Sequence, residues 1–357
     1  MKHTTPLQPQ RVRRGFTLVE LLTVVFIIAA LIAILVPSIS AARNQAKKVA
    51  TLSAIDAISV GLQMFKTDNA RDFPQTNGFP PSFAHPKITG TSFDPLKGEF
   101  PFVDGHPSIT GAHWLPAMLM GVDQQGYISR KKVPKAYWNK AELWYTADGP
   151  GAGTVVLERS NLYVNPNNVR TVRTIDLRGR ANSTLFKGGN NNPVSDLPVI
   201  VDLFDQPLLY YAANTHGRDT NMVEEKRKKG NDYNGGGEQS KGPPYYFHQD
   251  NVMFTGDDNT KGWDFGGSEL GHAIARSGKD LTAPELIQVD ADPTQSNTNT
   301  FAHYIVDRKL LKTFTSQTSK KTKLRPVNPD SFLLISAGVD GRYGTSDDPS
   351  NLPKFEE

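Results

Sequence analysis

The 357-residue sequence has no cysteine, which excludes disulfide frameworks, thiolate zinc sites, iron–sulfur clusters and cysteine nucleophiles. It also has no H-E-x-x-H pair, no G-x-S-x-G elbow and no Walker A sequence. Zinc hydrolases, serine hydrolases and nucleotide-driven enzymes therefore lack their usual motifs here. We expect a protein without catalytic activity, long enough for one large domain or two ordinary ones.

Acidic side chains are absent from the first fifteen residues, where four basic side chains occur. The whole chain has 40 basic and 36 acidic side chains, so the remainder is balanced at 36 of each. A protein that neutralises many phosphates needs a basic surface on its folded part. The sequence therefore predicts a basic leader and no nucleic-acid partner.

Long apolar runs are absent except for one near the N-terminus. Residues 18–36 read LVELLTVVFIIAALIAILV, with Glu20 and Thr23 as the only polar side chains. A helix of this length extends about 28 Å, close to the ~30 Å hydrocarbon core of a bilayer. The run predicts one transmembrane helix, and the basic residues before it place the N-terminus in the cytoplasm.

Three targeting signals fit parts of this segment. A secretory signal peptide would be cut near Ser38-Ile39-Ser40, although its apolar region normally has about 7–15 residues. Arg13-Arg14 resembles a twin-arginine signal, but Glu20 is poorly placed in the apolar region of either signal. The third fit is closer: residues 13–22, RRGFTLVELL, resemble the prepilin signature of type IV pilins and type II secretion pseudopilins.

The resemblance to the type IV pilin-like superfamily implies a maturation step. Prepilin peptidase would remove residues 1–15 by cutting after Gly15 on the cytoplasmic side. It would then methylate the new N-terminal residue, Phe16. The apolar helix would be retained in the mature protein, unlike a cleaved signal peptide.

The same resemblance assigns Glu20 and Pro37 to filament assembly. Glu20 corresponds to the family glutamate, and a carboxylate in hydrocarbon costs at least about 2.5 kcal/mol, so it needs a partner. The α-amino group of Phe16 on a neighbouring subunit would be that partner and would set the axial register. Pro37 lies where many pilins have a proline, which should kink or locally melt the helix.

After Pro37 the apolar pattern becomes one-sided. Apolar residues recur every three or four positions, which is typical of an amphipathic helix with one buried face: Val49, Leu52, Ile55, Ile58, Leu62 and Phe65. Asp68-Asn69 and the proline at position 74 predict a turn. We therefore expect one long helix over about 17–67, with residues 18–36 in the membrane.

Two further segments resemble the major pseudopilins of type II secretion. Residues 62–74, LQMFKTDNARDFP, resemble the L-x-x-[YF]-x-x-D-N-x-x-[YF]-P passage after the first helix. Residues 201–211, VDLFDQPLLYY, resemble the D-P-W-G-x-P-Y-x-Y approach to a strand, with Leu-Phe-Asp in place of Pro-Trp-Gly. The spacing of Asp202, Pro207 and Tyr210 is kept.

The C-terminal segment 332–348, FLLISAGVDGRYGTSDD, begins as an apolar strand and ends as a loop rich in Gly and Asp. In major pseudopilins this strand and loop carry a calcium site, so the resemblance implies Ca²⁺ held by Asp340, Asp347 and Asp348, with carbonyls from 334–343. Ca²⁺ prefers about 6–8 oxygen ligands, which glycines allow a short loop to supply. The alternative is a solvated acidic turn.

The middle of the chain is much longer than in a compact pseudopilin. Residues 111–121, GAHWLPAMLMG, predict a short helix with Trp114, Leu115, Met118 and Leu119 inward, and aromatics near 138–145 predict strands. Residues 75–110 predict loop with short strands, and 216–241 predict a mobile loop. The expected fold is α+β: a long N-terminal helix on an antiparallel sheet, with 68–357 a periplasmic domain containing a loop-rich insertion at about 75–330.

The resemblance implies a structural subunit of a type II secretion pseudopilus, a filament of this chain with minor pseudopilins. Its other implied partners are prepilin peptidase, the inner-membrane assembly platform and membrane lipid. Before assembly it would cross the inner membrane once, with its C-terminal domain in the periplasm. Two alternatives remain: a type IV pilin of another filament, for adhesion or DNA uptake, and a membrane-anchored periplasmic binding module or enzyme.

Overall fold

The computed structural model describes residues 18–82, 110–129, 158–177, 197–215, 245–246, 248–255, 274, 300–307, 309–310, 325–345 and 347–352. Within them the helices are α1 (Leu18–Asn69), α2 (Gly111–Leu119), α3 (Val252–Thr255) and α4 (Thr300–Ile305). The strands are β1 (Arg170–Arg173), β2 (Pro198–Val201), β3 (Leu209–Ala212) and β4 (Phe332–Ile335). β1 pairs with β2, and β3 pairs with β4, both antiparallel. The predicted α+β class is confirmed.

Residues 1–46 and 47–357 form two compact units, and α1 contributes to both. Helix α1 is continuous from the first described residue, Leu18, and ends at Asn69, two residues beyond the predicted end. It passes through Pro37 without a break, so the predicted local melting is wrong. A single proline removes only one backbone hydrogen bond. The Ser38 hydroxyl also donates to the Ile34 carbonyl at 2.9 Å.

The one-sided pattern of residues 49–65 is confirmed in its second part. Four predicted apolar residues are buried: Ile55, Ile58, Leu62 and Phe65. Leu52 is half-buried, and the prediction for Val49 is wrong because this side chain is 56% exposed. The buried face of α1 begins at Thr51, after Val49, and it also includes Gly61.

The predicted short helix at 111–121 is α2, and every residue in it is buried. Thr110 caps its N-terminus through a capping box with His113. A helix that is apolar on all sides must be enclosed by other elements, and α2 contacts β2 and β3. All four inward side chains predicted for this helix are confirmed as buried.

The core of the second unit joins α1, α2, α4 and the strands β2, β3 and β4. Phe65 of α1 packs against the rings of Tyr127 and Tyr163, with centroids 6.0 and 5.2 Å away. Both tyrosines lie in the predicted insertion, so the described parts of the insertion complete the core. The strands predicted near 138–145 and the loop predicted at 216–241 lie outside the described residues.

Candidate functional site

The first candidate element is the described part of the N-terminal unit, residues 18–46. Within the described ranges, α1 is the helix long and apolar enough to cross a membrane. Its apolar side chains are exposed, among them Leu18 at 79% and Phe26 at 72%. An apolar surface of this extent is suited to lipid or to other apolar helices rather than to water.

Glu20 lies in the first turn of α1 and is exposed. It is the only carboxylate in residues 18–46, and a negative charge near a helix N-terminus interacts favourably with the helix dipole. Pro37 lies within the same apolar surface. Gly15 and Phe16, the residues assigned to cleavage and methylation, lie outside the described residues.

The second candidate element is the loop after β4, residues 336–350, which we name the acidic loop. The loop folds back beside the end of β4, because the Ser336 amide donates to the Pro349 carbonyl at 2.9 Å and Ile335 bridges Ser350. This return brings together three carboxylates, and one oxygen of each lies within 4.8 Å of the others: Asp340, Asp347 and Asp348.

Asp348 receives the most hydrogen bonds of the three. Its Oδ2 accepts from the Gly344 amide at 2.7 Å and from the Tyr304 hydroxyl at 3.1 Å. The Thr345 hydroxyl lies 2.9 Å from its Oδ1 and 2.6 Å from Asp347 Oδ1. One hydroxyl proton can serve only one of these oxygens at a time. The donors hold Asp347 and Asp348 side by side.

The other two carboxylates retain more acceptor capacity. Asp347 Oδ2 accepts from the Val339 amide at 3.1 Å, and Asp340 Oδ1 accepts from the Arg342 amide at 2.8 Å. An ionised carboxylate has about four acceptor positions. Acceptor positions therefore remain on the carboxylates for a hard cation, which suits the chemistry of Ca²⁺.

The electrostatics of the acidic loop disfavour three free negative charges. Burial raises the pKa of Asp348 well above its usual range, and the nearby Asp340 raises it further. Burial also raises the pKa of Asp340, with a smaller contribution from Asp347. Hydrogen bonds oppose both shifts. A bound cation would act in the same direction as these hydrogen bonds, because it favours the charged form of a carboxylate.

Asp202 supports the start of the acidic loop from the neighbouring turn. It is buried, and its Oδ1 accepts from the amides of Phe204 and Gln206 at 2.8 and 2.9 Å. Its Oδ2 accepts from the Ser336 hydroxyl at 2.6 Å. Burial raises the pKa of Asp202, and these hydrogen bonds oppose the shift. The segment that resembles the D-P-W-G passage thus links the β2–β3 turn to the end of β4.

Asn251 and Tyr304 are structurally important residues that the sequence did not reveal. The Asn251 side chain is fully buried, accepts from the Ala112 amide at 3.0 Å and donates to the Tyr210 carbonyl at 2.8 Å. It therefore joins α2 to β3. Neither Asn251 nor Tyr304 lies in a recognisable motif, because their partners are far away in sequence.

His113 is a buried histidine with a defined tautomer. The Thr110 amide donates to Nδ1 at 3.1 Å, so Nε2 carries the proton and donates to the Thr174 hydroxyl 3.0 Å away. That hydroxyl donates to the Leu197 carbonyl at 2.8 Å. Burial lowers the pKa of His113 to about 3. The neutral ring is a core component that connects α2 to β1 and β2.

Asp250 is a buried carboxyl in the turn before α3. The Ser82 hydroxyl donates to its Oδ2 and accepts from the Ala212 amide, which lies 3.0 Å away. Burial raises the pKa of Asp250 to about 8, against the effect of the Ser82 hydrogen bond. Like His113, this group is neutral in the folded protein near pH 7 and serves the core.

Comparison with known proteins supports the pilin-like features of the N-terminal element. Residues 10–36 match the family described as the Prokaryotic N-terminal methylation motif. The chain is 29% identical over 126 residues to the type II secretion system core protein G of Escherichia coli (strain K12), covering 35% of this chain and 67% of that protein. No solved structure has significant similarity to the chain.

Two other relatives have the same name and match shorter segments. The core protein G of Dickeya chrysanthemi is 37% identical over 67 residues, and that of Pseudomonas aeruginosa is 40% identical over 60 residues. These matches cover 19% and 17% of this chain, and 43% and 42% of the two relatives. With the methylation motif and the long apolar helix, these similarities support a relationship of the chain to the pseudopilins and type IV pilins.

Proposed function

We propose that the chain is a structural subunit of a type II secretion pseudopilus, matured by prepilin peptidase and assembled through its N-terminal helix. The observation that carries the proposal is the exposed apolar surface of residues 18–46, which overlaps the methylation motif at residues 10–36. In a secreted soluble domain, such a helix would expose a large apolar surface to water. A retained helix of this kind suits a subunit that moves from a membrane into a filament.

Assembly replaces lipid around the apolar helix with neighbouring helices, whose packing and interhelical polar contacts favour association. Glu20 pairs with the α-amino group of Phe16 on the next subunit and fixes the axial register, since an unpaired carboxylate in an apolar filament core is costly. Pro37 lies in the same helical segment, where it adjusts how neighbouring helices fit.

The subunit starts as a single-pass inner-membrane protein, with residues 1–15 in the cytoplasm and the second unit in the periplasm. The basic leader and the apolar run support this orientation. The partners are prepilin peptidase, the inner-membrane assembly platform, other copies of this chain and minor pseudopilins. The names of the relatives support a place in type II secretion.

The acidic loop is a Ca²⁺ site in this proposal, with Asp340, Asp347 and Asp348 as carboxylate ligands. Support comes from the convergence of the three side chains and from the acceptor positions that their hydrogen bonds leave. Ca²⁺ supplies two positive charges that offset the repulsion among the carboxylates. The hydrogen bonds from Val339, Gly344 and Tyr304 orient the carboxylate oxygens.

The proposed assembly role is tested with Glu20→Ala in the full chain, expressed with a type II secretion machinery. Thr23→Ala, one turn further along the same helix, is the control. We expect both proteins to reach the mass for loss of residues 1–15 plus one methyl group. Filament yield should fall at least about tenfold for Glu20→Ala only, because this variant leaves the α-amino group of Phe16 without its partner, and an unpaired charge in an apolar environment costs about 2.5–3.5 kcal/mol.

Two results would contradict the proposal in different ways. A mass that corresponds to cleavage near Ser40 would show that the apolar helix is a removed signal peptide. A normal filament yield from Glu20→Ala would remove the proposed role of this carboxylate in assembly.

A further inference from the structure

Helix α4, in the predicted insertion, is connected to both ends of β4. Val306 bridges Pro326, and the Val327 amide donates to the Ile305 carbonyl at 2.8 Å. The chain continues from there into the start of β4. Beyond the other end of β4, the Tyr304 hydroxyl donates to Asp348 Oδ2 at 3.1 Å. A short helix of the insertion thus contacts the acidic loop directly.

The core holds α4 firmly, so the position of the Tyr304 hydroxyl is fixed. Phe301, Tyr304 and Ile305 are each at most 5% exposed. The Phe301 ring lies 4.9 Å from the ring of Tyr211 on β3, the strand that pairs with β4. A hydroxyl on such a rigid support can orient a carboxylate in a way that a mobile side chain cannot.

The hydrogen bonds of Asp348 come from two sources. The Gly344 amide and the Thr345 hydroxyl belong to the acidic loop itself, and they move with it. Within the described part of the chain, Tyr304 supplies the hydrogen bond from outside the loop. The orientation of Asp348 therefore depends on the insertion as well as on the loop.

We propose that Tyr304 is a positioning residue that couples cation binding at the acidic loop to the order of residues 300–307. This inference rests on the Ca²⁺ site proposed above. Tyr304 holds Asp348 in the orientation that binds the cation, and the bound cation in turn keeps Asp348 in place as the acceptor for Tyr304. Because coupling between two equilibria is reciprocal, each must stabilise the other.

The coupling gives the insertion a role in cation binding. Cation binding at the acidic loop would also fasten α4, a helix of the insertion. Partners that orient metal ligands typically affect metal affinity about 10- to 100-fold. We therefore expect Tyr304→Phe to weaken Ca²⁺ binding at least about tenfold.

The test uses the full chain in detergent, with isothermal titration of Ca²⁺ and amide hydrogen exchange in Ca²⁺ or chelator. Tyr246→Phe is the matched control, because it removes one hydroxyl from another buried tyrosine, whose partner is the Asn328 carbonyl. In the native sequence and in Tyr246→Phe, Ca²⁺ should slow exchange in both the acidic loop and residues 300–307. In Tyr304→Phe, the loop should still respond at saturating Ca²⁺, and residues 300–307 should not.

The outcomes separate this inference from the Ca²⁺ proposal. Native affinity and a native response of residues 300–307 in Tyr304→Phe would overturn the coupling alone. Equal loss of affinity in Tyr304→Phe and Tyr246→Phe would reduce the effect to general destabilisation and would also overturn it. No binding to the native chain, or unchanged binding to Asp347→Ala, would overturn the Ca²⁺ site and the coupling together.

Discussion

Gly61 shows how one absent side chain permits the contact between α1 and the insertion. A Cβ at this position would lie 2.4 Å from Val164 Cγ2 and 2.6 Å from the Tyr163 carbonyl oxygen. Both atoms belong to a segment that packs on the helix. Since a backbone carbonyl cannot easily move away, any larger residue at position 61 must displace that segment.

Gly61→Ala should therefore destabilise the protein, although alanine favours a helix by up to about 1 kcal/mol over glycine. Overpacking costs about 1–3 kcal/mol, so we expect a net loss of about 1–2 kcal/mol in the free energy of unfolding. Denaturant unfolding of the full chain in detergent measures it. Gln63→Ala, at an exposed position on the same helix, should change stability by less than about 0.5 kcal/mol. Equal midpoints for the two variants would contradict the contact.

The departure from the Pro-Trp-Gly pattern at 203–205 has a local explanation. Asp205 occupies the glycine position of that pattern and has a left-handed φ of 67°, which aspartate tolerates better than most residues. Its carboxylate pairs with Arg170 of β1. Phe204, at the tryptophan position, lies under the Lys47 ammonium, 5.3 Å from the ring centroid. Asp205 and Phe204 thus each contact a basic side chain in this protein.

Asp202 is the connection between the β2–β3 turn and the end of β4. Asp202→Ala would leave the amides of Phe204 and Gln206 and the hydroxyl of Ser336 without their acceptor. A buried donor without a partner costs about 1–3 kcal/mol. We expect Asp202→Ala to lower the free energy of unfolding by about 2–4 kcal/mol and Ser336→Ala by about 1 kcal/mol.

A double-mutant cycle checks whether these two losses share one interaction. The double variant should be less destabilised than the sum of the single variants, with a coupling of about 0.5–3 kcal/mol, as for residues in direct contact. Additive losses would mean that Asp202 acts through the turn alone and does not hold β4.

The elements that the sequence predicted are those whose signals are local. The spacing of Ile55, Ile58, Leu62 and Phe65 indicates a buried helix face without knowledge of its partner. The same spacing extended too far, to Val49, because periodicity does not show where the core ends. Pro37 does not melt the helix, because a proline removes one backbone hydrogen bond and leaves those of the neighbouring residues in place.

The rest of the candidate site depends on partners distant in sequence. Tyr304 and Asp348 are 44 residues apart, and Asn251 bonds to residues 139 and 41 positions away. The residues next to them in the sequence do not indicate which distant backbone or carboxyl group will be their hydrogen-bond partner. The three aspartates of the acidic loop could be predicted from the sequence only because the loop is short and resembles a known pattern.

The described insertion belongs to the core of the second unit and does not form a separate module. Residues 47–357 form one compact unit. Its core takes Phe65 from α1, Trp114 from α2 and Tyr211 from β3, together with side chains of the described insertion. Interactions distributed in this way should make the unit respond to pH as a whole.

Two buried groups of that core respond to pH in opposite directions. The folded protein keeps His113 neutral down to a pKa of about 3, so its contribution to stability is full above 6.5 and decreases as the pH falls below that value. The pKa of Asp250 is raised from 3.8 to about 8, so its contribution is full below 3.8 and is lost as the pH rises towards 8. Between pH 3.8 and 6.5 the two effects offset each other.

Above pH 6.5, of these two groups only Asp250 should change the free energy of unfolding with pH. The variant Asp250→Asn should isolate this effect. Asparagine keeps an oxygen acceptor for Ser82 but cannot ionise. We expect the stability of the native chain relative to Asp250→Asn to fall by about 1.4 kcal/mol per pH unit between pH 6.5 and 8. Denaturant unfolding of the full chain at several pH values measures this difference. Asp56→Asn, which removes an exposed carboxylate of α1, controls for the change in net charge. A constant difference across this range would mean that Asp250 is already charged in the folded protein near neutral pH, and that its buried site tolerates the charge.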